Sequence, residues 1–179
     1  LPLSKARQSF AERLFALRRT HDLLQNKSSE AVGLRGLISG VLAPYDLASS
    51  RVSLDGPELQ VSGRQALPLT LVLHELTTNA TKYGALSNDK GHLAISWSIA
   101  ADAPSQRRDL ALSWTESGGP AVEPPTRKGF GSRLIAYSAA DLGGTLHIAY
   151  EPSGLRCTLD MPIDDSEPGG MPDRPGSIG

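Results

Sequence analysis

The chain has 179 residues, 39% of them hydrophobic and 21% charged, with a formal net charge of −1 at pH 7. This length and composition predict one well-buried globular core. The near-zero charge excludes the strongly basic surface typical of nucleic-acid-binding proteins, so no nucleic-acid partner is expected. No apolar run approaches the ~20 residues that a membrane-spanning helix needs, and the N-terminus lacks the apolar segment of a signal peptide.

Leu1 stands first instead of a methionine, which indicates a fragment of a longer protein. The single cysteine, Cys157, cannot form an internal disulfide. Because this fits a reducing cytosol, we expect a cytoplasmic protein. Cys157 falls in a predicted strand, and we interpret it as a small core residue rather than a nucleophile.

The first thirty residues predict one helix, over residues 9–26, which begins with a capping box of Ser9 and Glu12. Residues at 4-3-4-3 spacing in this helix form a short coiled-coil-like seam: Phe10, Leu14, Leu17, His21 and Leu24. Such a seam needs a partner helix. We expect that partner in a missing upstream segment or in another subunit.

From residue 31 onward, helical and strand patterns alternate. Helices are predicted over residues 31–42, 64–83 and 132–142, and strands over residues 51–54, 58–61, 92–99, 110–115, 145–150 and 155–161. The first two strands flank a turn at residues 55–57. Residues 164–179 are rich in Pro, Gly, Asp and Ser, which predicts a disordered tail. The order indicates a helical segment (residues 1–30) and then an α+β domain (residues 31–163), with one sheet and helices mostly on one of its faces.

The predicted helix at residues 64–83 carries two different stripes. Its apolar stripe contains Leu69, Val72, Leu73, Leu76, Ala80 and Tyr83. Glu75, Asn79 and Lys82, spaced i, i+4 and i+7, form a polar stripe beside it. An amide oxygen can ligate magnesium and an ammonium can bind a phosphate, although these three side chains could equally be solvated. Gly84 is predicted to end the helix in a left-handed cap.

A second motif, at residues 114–120, ends a strand with Glu116, Gly118 and Gly119. A carboxylate at a strand end can accept a hydrogen bond from an amino group such as that of adenine. Glycines beside it would let a flat ring approach the backbone closely. An ordinary turn is the alternative interpretation.

A third motif places Gly129 and Gly131 just before a helix, where backbone amides suit phosphate oxygens. A simple turn would also explain the two glycines. Residues 121–128 between the second and third motifs contain two prolines and could form a mobile flap over a ligand. In this flap, Arg127 and Lys128 are either phosphate contacts or solvated surface charges.

The order of the three motifs resembles the N, G1 and G2 boxes of the ATP-binding fold shared by histidine kinases and gyrase. The chain is most similar to the HWE subfamily of sensor histidine kinases, named for a His in the N box and a Trp-x-Glu in the G1 box. His74 matches the first, and Trp114 with Glu116 matches the second. Residues 10–24 resemble the second helix of the family's dimerisation hairpin, so the resemblance covers about residues 10–162.

This resemblance implies a Bergerat-type two-layer α/β sandwich, in which helices cover one face of a mixed sheet, and it implies ATP and Mg²⁺ as ligands. Asn79 would ligate Mg²⁺, Lys82 would contact the phosphates, and Glu75 would polarise a metal-bound water or assist proton removal. The implied ATP-binding residues are His74, Glu75, Asn79, Lys82, Tyr83, Ala85, Leu86, Glu116, Gly118, Gly119, Arg127, Lys128, Gly129, Gly131 and Ser132.

Three further expectations concern single residues of these boxes. Glu116 replaces the usual aspartate and would accept a hydrogen bond from the adenine amino group, with the ring placed slightly differently. Pro120 stands where many kinases have a glycine, which implies a stiffer and shorter lid. For His74 and Trp114 we expect packing or support of neighbouring groups rather than direct catalysis.

The implied reaction is transfer of the ATP γ-phosphoryl group to a histidine, followed by relay to an aspartate of a response-regulator receiver domain. The full-length protein would be a homodimer with an upstream sensor domain. The family's acceptor histidine lies on a hairpin helix that this chain lacks, and His21 is better explained by heptad packing. We therefore expect the fragment to bind ATP without phosphorylating itself. Two alternatives stay open: a docking or phosphotransfer module without ATP turnover, and another ATPase of the superfamily.

Overall fold

A computed structural model describes residues 31–45, 50–101, 108–124 and 129–163. Several predictions lie outside these ranges. They are the N-terminal helix with its seam and His21, the two flap cations Arg127 and Lys128, and the tail at residues 164–179. In the described part of the chain, no helix is both long and apolar enough to cross a membrane.

A five-stranded sheet in the order β2-β4-β5-β7-β6 forms one layer of the domain. Its strands are β2 (Val52–Asp55), β4 (His92–Ala101), β5 (Arg108–Ser117), β6 (Thr145–Glu151) and β7 (Gly154–Pro162). Strand β2 runs parallel to β4, and the other neighbours are antiparallel. The sheet is therefore mixed, and the predicted α+β class is confirmed.

Three helices form the second layer: α1 (Leu34–Leu42), α2 (Gly63–Lys82) and α3 (Phe130–Asp141). Helix α2 contacts both α1 and α3. Alternation in β5 directs Leu110, Leu112 and Trp114 into the core, because successive side chains of a strand point to opposite faces. The opposite face of the sheet carries small exposed residues such as Ala94 and Ser96. The prediction of helices on one face is confirmed.

The two short strands that flank residues 55–57 do not pair with each other. β2 joins the five-stranded sheet, whereas β3 (Gln60–Val61) pairs with β1 (Val32–Gly33) in a separate two-stranded sheet. The helix predicted over residues 31–42 begins at Leu34 instead of residue 31, since β1 occupies the two residues before it. Alternation identifies a strand, but it does not identify the partner of that strand.

Two predictions about the end of α2 were wrong. Tyr83 is 72% exposed and does not extend the apolar stripe, because α2 ends at Lys82 and Tyr83 has left the helical conformation. Gly84 has φ −101° and ψ −154°, so it is not a left-handed cap. A glycine is needed there for space: a Cβ atom at Gly84 would overlap the carboxylate of Glu116. The chain then turns directly into a 3-10 segment, Ala85–Ser87.

Candidate functional site

A cavity of about 470 Å³ lies between the C-terminal end of α2, the end of β5, the β6–β7 hairpin and the beginning of α3. This volume is within the range of small-molecule sites in proteins. The lining residues are Asn79, Tyr83, Gly84, Glu116, Ala121, Val122, Glu123, Gly129, Gly131, Ser132, Tyr150 and Leu155. Each of the three sequence motifs contributes to this lining. Motif residues that are up to 53 positions apart in the sequence, from Asn79 to Ser132, therefore border one cavity.

The predicted site residues divide into three groups. Those that line the cavity are Asn79, Tyr83, Glu116, Gly129, Gly131 and Ser132. Those on α2 or in the segments that follow α2 and β5, but outside the lining, are His74, Glu75, Lys82, Ala85, Leu86, Gly118 and Gly119. Arg127 and Lys128 lie outside the described residues. The structure thus brings residues of each motif to the cavity, whereas the other predicted site residues that it describes do not line the cavity.

The carboxylate of Glu116 is held by two N–H donors. Its Oε1 accepts a hydrogen bond from Nε1 of Trp114 at 3.0 Å, and its Oε2 accepts one from the backbone N–H of Ala85 at 2.8 Å. Glu116 is 3% exposed, and Trp114 is fully buried. Because residues two apart in a strand face the same side, the Trp-x-Glu spacing places the indole beside the carboxylate. The acid at the end of β5 is therefore fixed in position.

The glycines after Glu116 are required by neighbouring backbone. Gly118 has φ +69°, a left-handed conformation that favours glycine, and a Cβ atom there would lie 2.8 Å from the carbonyl oxygen of Lys90. A Cβ atom at Gly119 would lie 2.9 Å from the backbone nitrogen of Ala85. Gly119 therefore lets the chain after β5 pack against the 3-10 segment, and Gly118 lets it pack against the turn before β4.

Gly129 and Gly131 differ in their surroundings. A Cβ atom at Gly129 would meet no atom within 4 Å, whereas one at Gly131 would lie 2.5 Å from Oε2 of Glu75. Glu75 is 3% exposed, so the N-box carboxylate lies directly beside the first turn of α3. Gly129, the N-cap of α3, makes no side-chain capping bond, and a carboxylate near a helix N-terminus is electrostatically favourable.

Several lining residues were not among the predicted site residues. Tyr150 and Leu155 face each other across the β6–β7 hairpin, and no local motif distinguishes them from other strand residues. Ala121, Val122 and Glu123 belong to the segment interpreted as a flap, where the sequence had singled out only the two cations. For Gly84 the sequence predicts only a role in ending α2. These residues reach the cavity through tertiary packing.

Two titratable groups of the β6–β7 hairpin are shifted by burial. Burial raises the pKa of the Cys157 thiol to about 12. Burial also raises the pKa of Tyr150, and the nearby Cys157 adds to the shift, because two adjacent negative charges would repel each other. Cys157 is 2% exposed, which agrees with its interpretation as a core residue. At neutral pH both groups are uncharged.

The described residues contain no group of three or more His, Cys, Asp or Glu side chains that could hold a metal ion. Asn79 lies in the lining and carries an uncharged amide oxygen, a ligand type suited to Mg²⁺. Asn79 is therefore a candidate ligand of a divalent ion at this cavity.

Comparison with known proteins shows what this chain is similar to. Residues 2–58 match the HWE histidine kinase family. A blue-light-activated histidine kinase of Brucella ovis is 37% identical over 161 residues, which covers 89% of this chain. The match covers 32% of that relative, so the chain spans about a third of its length.

Solved structures share the fold. The histidine kinase domain of a blue-light-activated histidine kinase from Erythrobacter litoralis superimposes with a TM-score of 0.62 at 16% identity, covering 87% of this chain and 75% of that one. The catalytic domain of the histidine kinase ThkA gives a TM-score of 0.55 at 16% identity, covering 76% of this chain and 97% of that one. At such identities the likeness concerns the fold alone.

Proposed function

We propose that the chain belongs to the HWE histidine kinases, whose family model its residues 2–58 match, and that residues 31–163 form the ATP-binding catalytic domain of a two-component sensor histidine kinase. The observation that carries this proposal is the convergence of three motifs on one cavity. Asn79, Glu116 and the Gly129–Gly131 turn are distant in sequence, yet all three line it. Each supplies a group suited to one part of a purine nucleotide bound with magnesium.

The proposed base subsite lies around Glu116. Glu116 borders the cavity together with Val122, Leu155 and Tyr150. A carboxylate accepts hydrogen bonds only, which suits the exocyclic amino group of adenine. Apolar walls suit the faces of a flat ring, because their burial removes apolar surface from water.

The proposed phosphate subsite lies at the beginning of α3. The first amides of a helix have no partner within that helix, and the helix dipole favours negative charge there. Lys82, exposed in the last turn of α2, follows Asn79 by three residues and therefore lies on the same side of the helix. Arg127 and Lys128 are further proposed phosphate contacts from the flap.

The chemistry that we propose is phosphoryl transfer by positioning. The bond between the γ-phosphorus and the oxygen bridging to the β-phosphate breaks, and ADP leaves. The phosphorus bonds to the unprotonated ring nitrogen of a neutral histidine, and the other ring nitrogen then loses its proton. Magnesium, when bound, neutralises charge on the phosphate oxygens. Asn79 would hold the ion, and Glu75, one turn earlier on α2, would polarise a water or assist proton removal. Neutral imidazole is already nucleophilic at pH 7, so no strong base is required.

The partners we propose are those of a two-component system. The acceptor histidine would lie on a hairpin helix outside this chain, and the phosphoryl group would pass to an aspartate of a receiver domain. The full-length protein would act as a homodimer under an upstream sensor domain, in the cytoplasm. The Brucella relative carries the words blue-light-activated in its name, which is a property of that whole protein.

Calorimetric titration with ADP and a non-hydrolysable ATP analogue, with and without Mg²⁺, tests this proposal. We expect micromolar affinity, on the order of −7 to −8 kcal/mol, and loss of the magnesium-dependent part in Asn79→Ala. Gln60→Ala, which changes an exposed amide in β3 outside the cavity, serves as the control and should bind like the wild type. Absence of magnesium-dependent binding in the wild type would favour a docking or phosphotransfer module instead.

A further inference from the structure

We propose that Trp114 is a positioning residue that sets the preference for adenine by orienting the carboxylate of Glu116. This inference rests on the proposed function, because it concerns how the base is recognised. Trp114 belongs to the Trp-x-Glu motif but does not line the cavity. The proposed role depends on the indole Nε1 of Trp114 and requires no contact between Trp114 and the nucleotide.

The geometry begins with two hydrogen bonds that together fix both carboxylate oxygens. Trp114 Nε1 donates to Oε1 at 3.0 Å, and the Ala85 N–H donates to Oε2 at 2.8 Å. The two donors come from different parts of the fold, the interior of β5 and the 3-10 segment after α2. Either donor alone would let the carboxylate rotate about its last bond. With both in place, the plane of the carboxylate is set.

A fixed carboxylate still has acceptor capacity for a ligand. Its two oxygens offer about four lone-pair sites, and the two protein donors occupy two of them. Glu116 borders the cavity, so a remaining site can accept a hydrogen bond from a donor there. The 6-amino group of adenine is such a donor, whereas a 6-oxo group is an acceptor and would oppose the carboxylate. The orientation of the Glu116 carboxylate therefore determines whether a 6-amino purine binds more tightly than a 6-oxo purine.

An indole suits this task because it combines a rigid anchor with one directed donor. Trp114 is fully buried, and it is paired in register with Ile95 of β4 and Cys157 of β7 in the centre of the sheet. A buried Trp N–H needs a hydrogen-bond partner, and here the partner is Glu116. The position of the acid is thus tied to the core of the sheet. The longer side chain of Glu, compared with Asp, allows its carboxylate to span the distance between Trp114 and Ala85.

The test compares ADP with the diphosphate of purine riboside, which lacks the 6-amino group, by calorimetry in the presence of Mg²⁺. In Trp114→Phe, which removes the N–H and keeps a ring in the core, we expect ADP affinity to fall about tenfold. Affinity for the deamino analogue should stay unchanged, so the ratio of the two affinities should fall about tenfold. A general loss of structure would instead lower the affinities for both ligands equally.

The second tryptophan provides a matched control. Nε1 of Trp97 donates to the carbonyl of Pro57 at 2.8 Å, outside the cavity. Trp97→Phe should preserve the affinities for both nucleotides and the ratio between them. The inference is overturned if Trp114→Phe keeps the wild-type ratio. It is also overturned if Trp97→Phe abolishes the ratio to the same degree.

A measurement on the wild-type protein decides the question if Trp114→Phe does not fold. The chain has two tryptophans, so its nitrogen–proton NMR spectrum contains two indole signals, which Trp97→Phe assigns. ADP should shift the Trp114 signal clearly more than the deamino analogue does, and equal shifts would overturn the inference. If the wild-type protein binds neither nucleotide, the proposed function itself fails. That result is distinct from normal ADP binding with an unchanged ratio.

Discussion

The backbone of Gly131 at the beginning of α3 lies against the carboxylate of Glu75 in the interior of α2, and a Cβ atom at this glycine would lie 2.5 Å from Oε2. Both residues belong to predicted motifs of the site, and the contact joins those motifs. Glu75 is almost fully buried, so its carboxylate has little room to move. The interior of α2 and the first turn of α3 therefore pack directly against each other beside the cavity.

This contact predicts different effects for the same substitution at two neighbouring glycines. Gly131→Ala should displace the Glu75 carboxylate, and overpacking of this kind costs about 1–3 kcal/mol. Replacing a helical glycine by alanine returns up to about 1 kcal/mol. The expected net loss in the free energy of unfolding is therefore about 1 kcal/mol, measured by urea denaturation.

Gly129→Ala is the matched control for that measurement. A Cβ atom at Gly129 meets nothing within 4 Å, and its φ of −76° suits any residue. The free energy of unfolding of Gly129→Ala should therefore remain close to that of the wild type. A Gly131→Ala variant as stable as Gly129→Ala would show that Glu75 moves aside without cost, contrary to the packing described above.

Lys82 provides a prediction about phosphate recognition. It lies exposed in the last turn of α2, three residues after Asn79, and an ammonium on this side of the helix would approach the phosphates of a bound nucleotide. Lys82→Ala should weaken binding of the ATP analogue several-fold and leave adenosine binding unchanged. The effect should shrink at high salt, because screening weakens interactions between exposed charges.

Lys90→Ala is the control for this substitution, since Lys90 is also exposed but lies in the turn before β4 and does not line the cavity. Equal effects of the two lysine substitutions on the affinity for the ATP analogue would indicate a general electrostatic attraction. In that case the specific contact assigned to Lys82 would be wrong.

The pKa of Cys157 predicts how stability depends on alkaline pH. Burial raises the pKa of this thiol from 9.0 to about 12. Above pH 9 the unfolded chain therefore loses a proton that the folded chain retains. Ionisation then favours the unfolded state, and stability falls as pH rises between these two values. From pH 8 to pH 10 this group should remove roughly 1 kcal/mol from the free energy of unfolding.

Urea denaturation of the wild type and of Cys157→Ala at pH 8, 9 and 10 measures this contribution. The variant is expected to be less stable at pH 8, because a buried side chain is shortened, and the difference from the wild type should narrow as pH rises. Tyr150, whose pKa is also raised by burial, is present in both proteins. Parallel pH curves for the two proteins would show that the thiol stays uncharged in the unfolded chain or ionises equally in both states.

The sequence by itself determined the three helices of the domain, the strands of the five-stranded sheet, the α+β class and the three motifs, because these follow from local patterns. The period of α2 and the alternation of β5 each reflect which side chains face a core. The Trp-x-Glu spacing likewise fixed that Trp114 and Glu116 share one face of a strand. The family resemblance also rested on these ordered motifs.

Only the tertiary structure decided which groups meet. The bond from the Ala85 N–H to Glu116 joins residues 31 positions apart, and Gly131 lies against Glu75 across two helices. Tyr150 and Leu155 line the cavity although no motif contains them, and Gly84 is a glycine because Glu116 occupies the space beside it. Local periodicity specifies which face of an element is buried. It does not specify the opposing element, since that choice depends on how the whole chain packs.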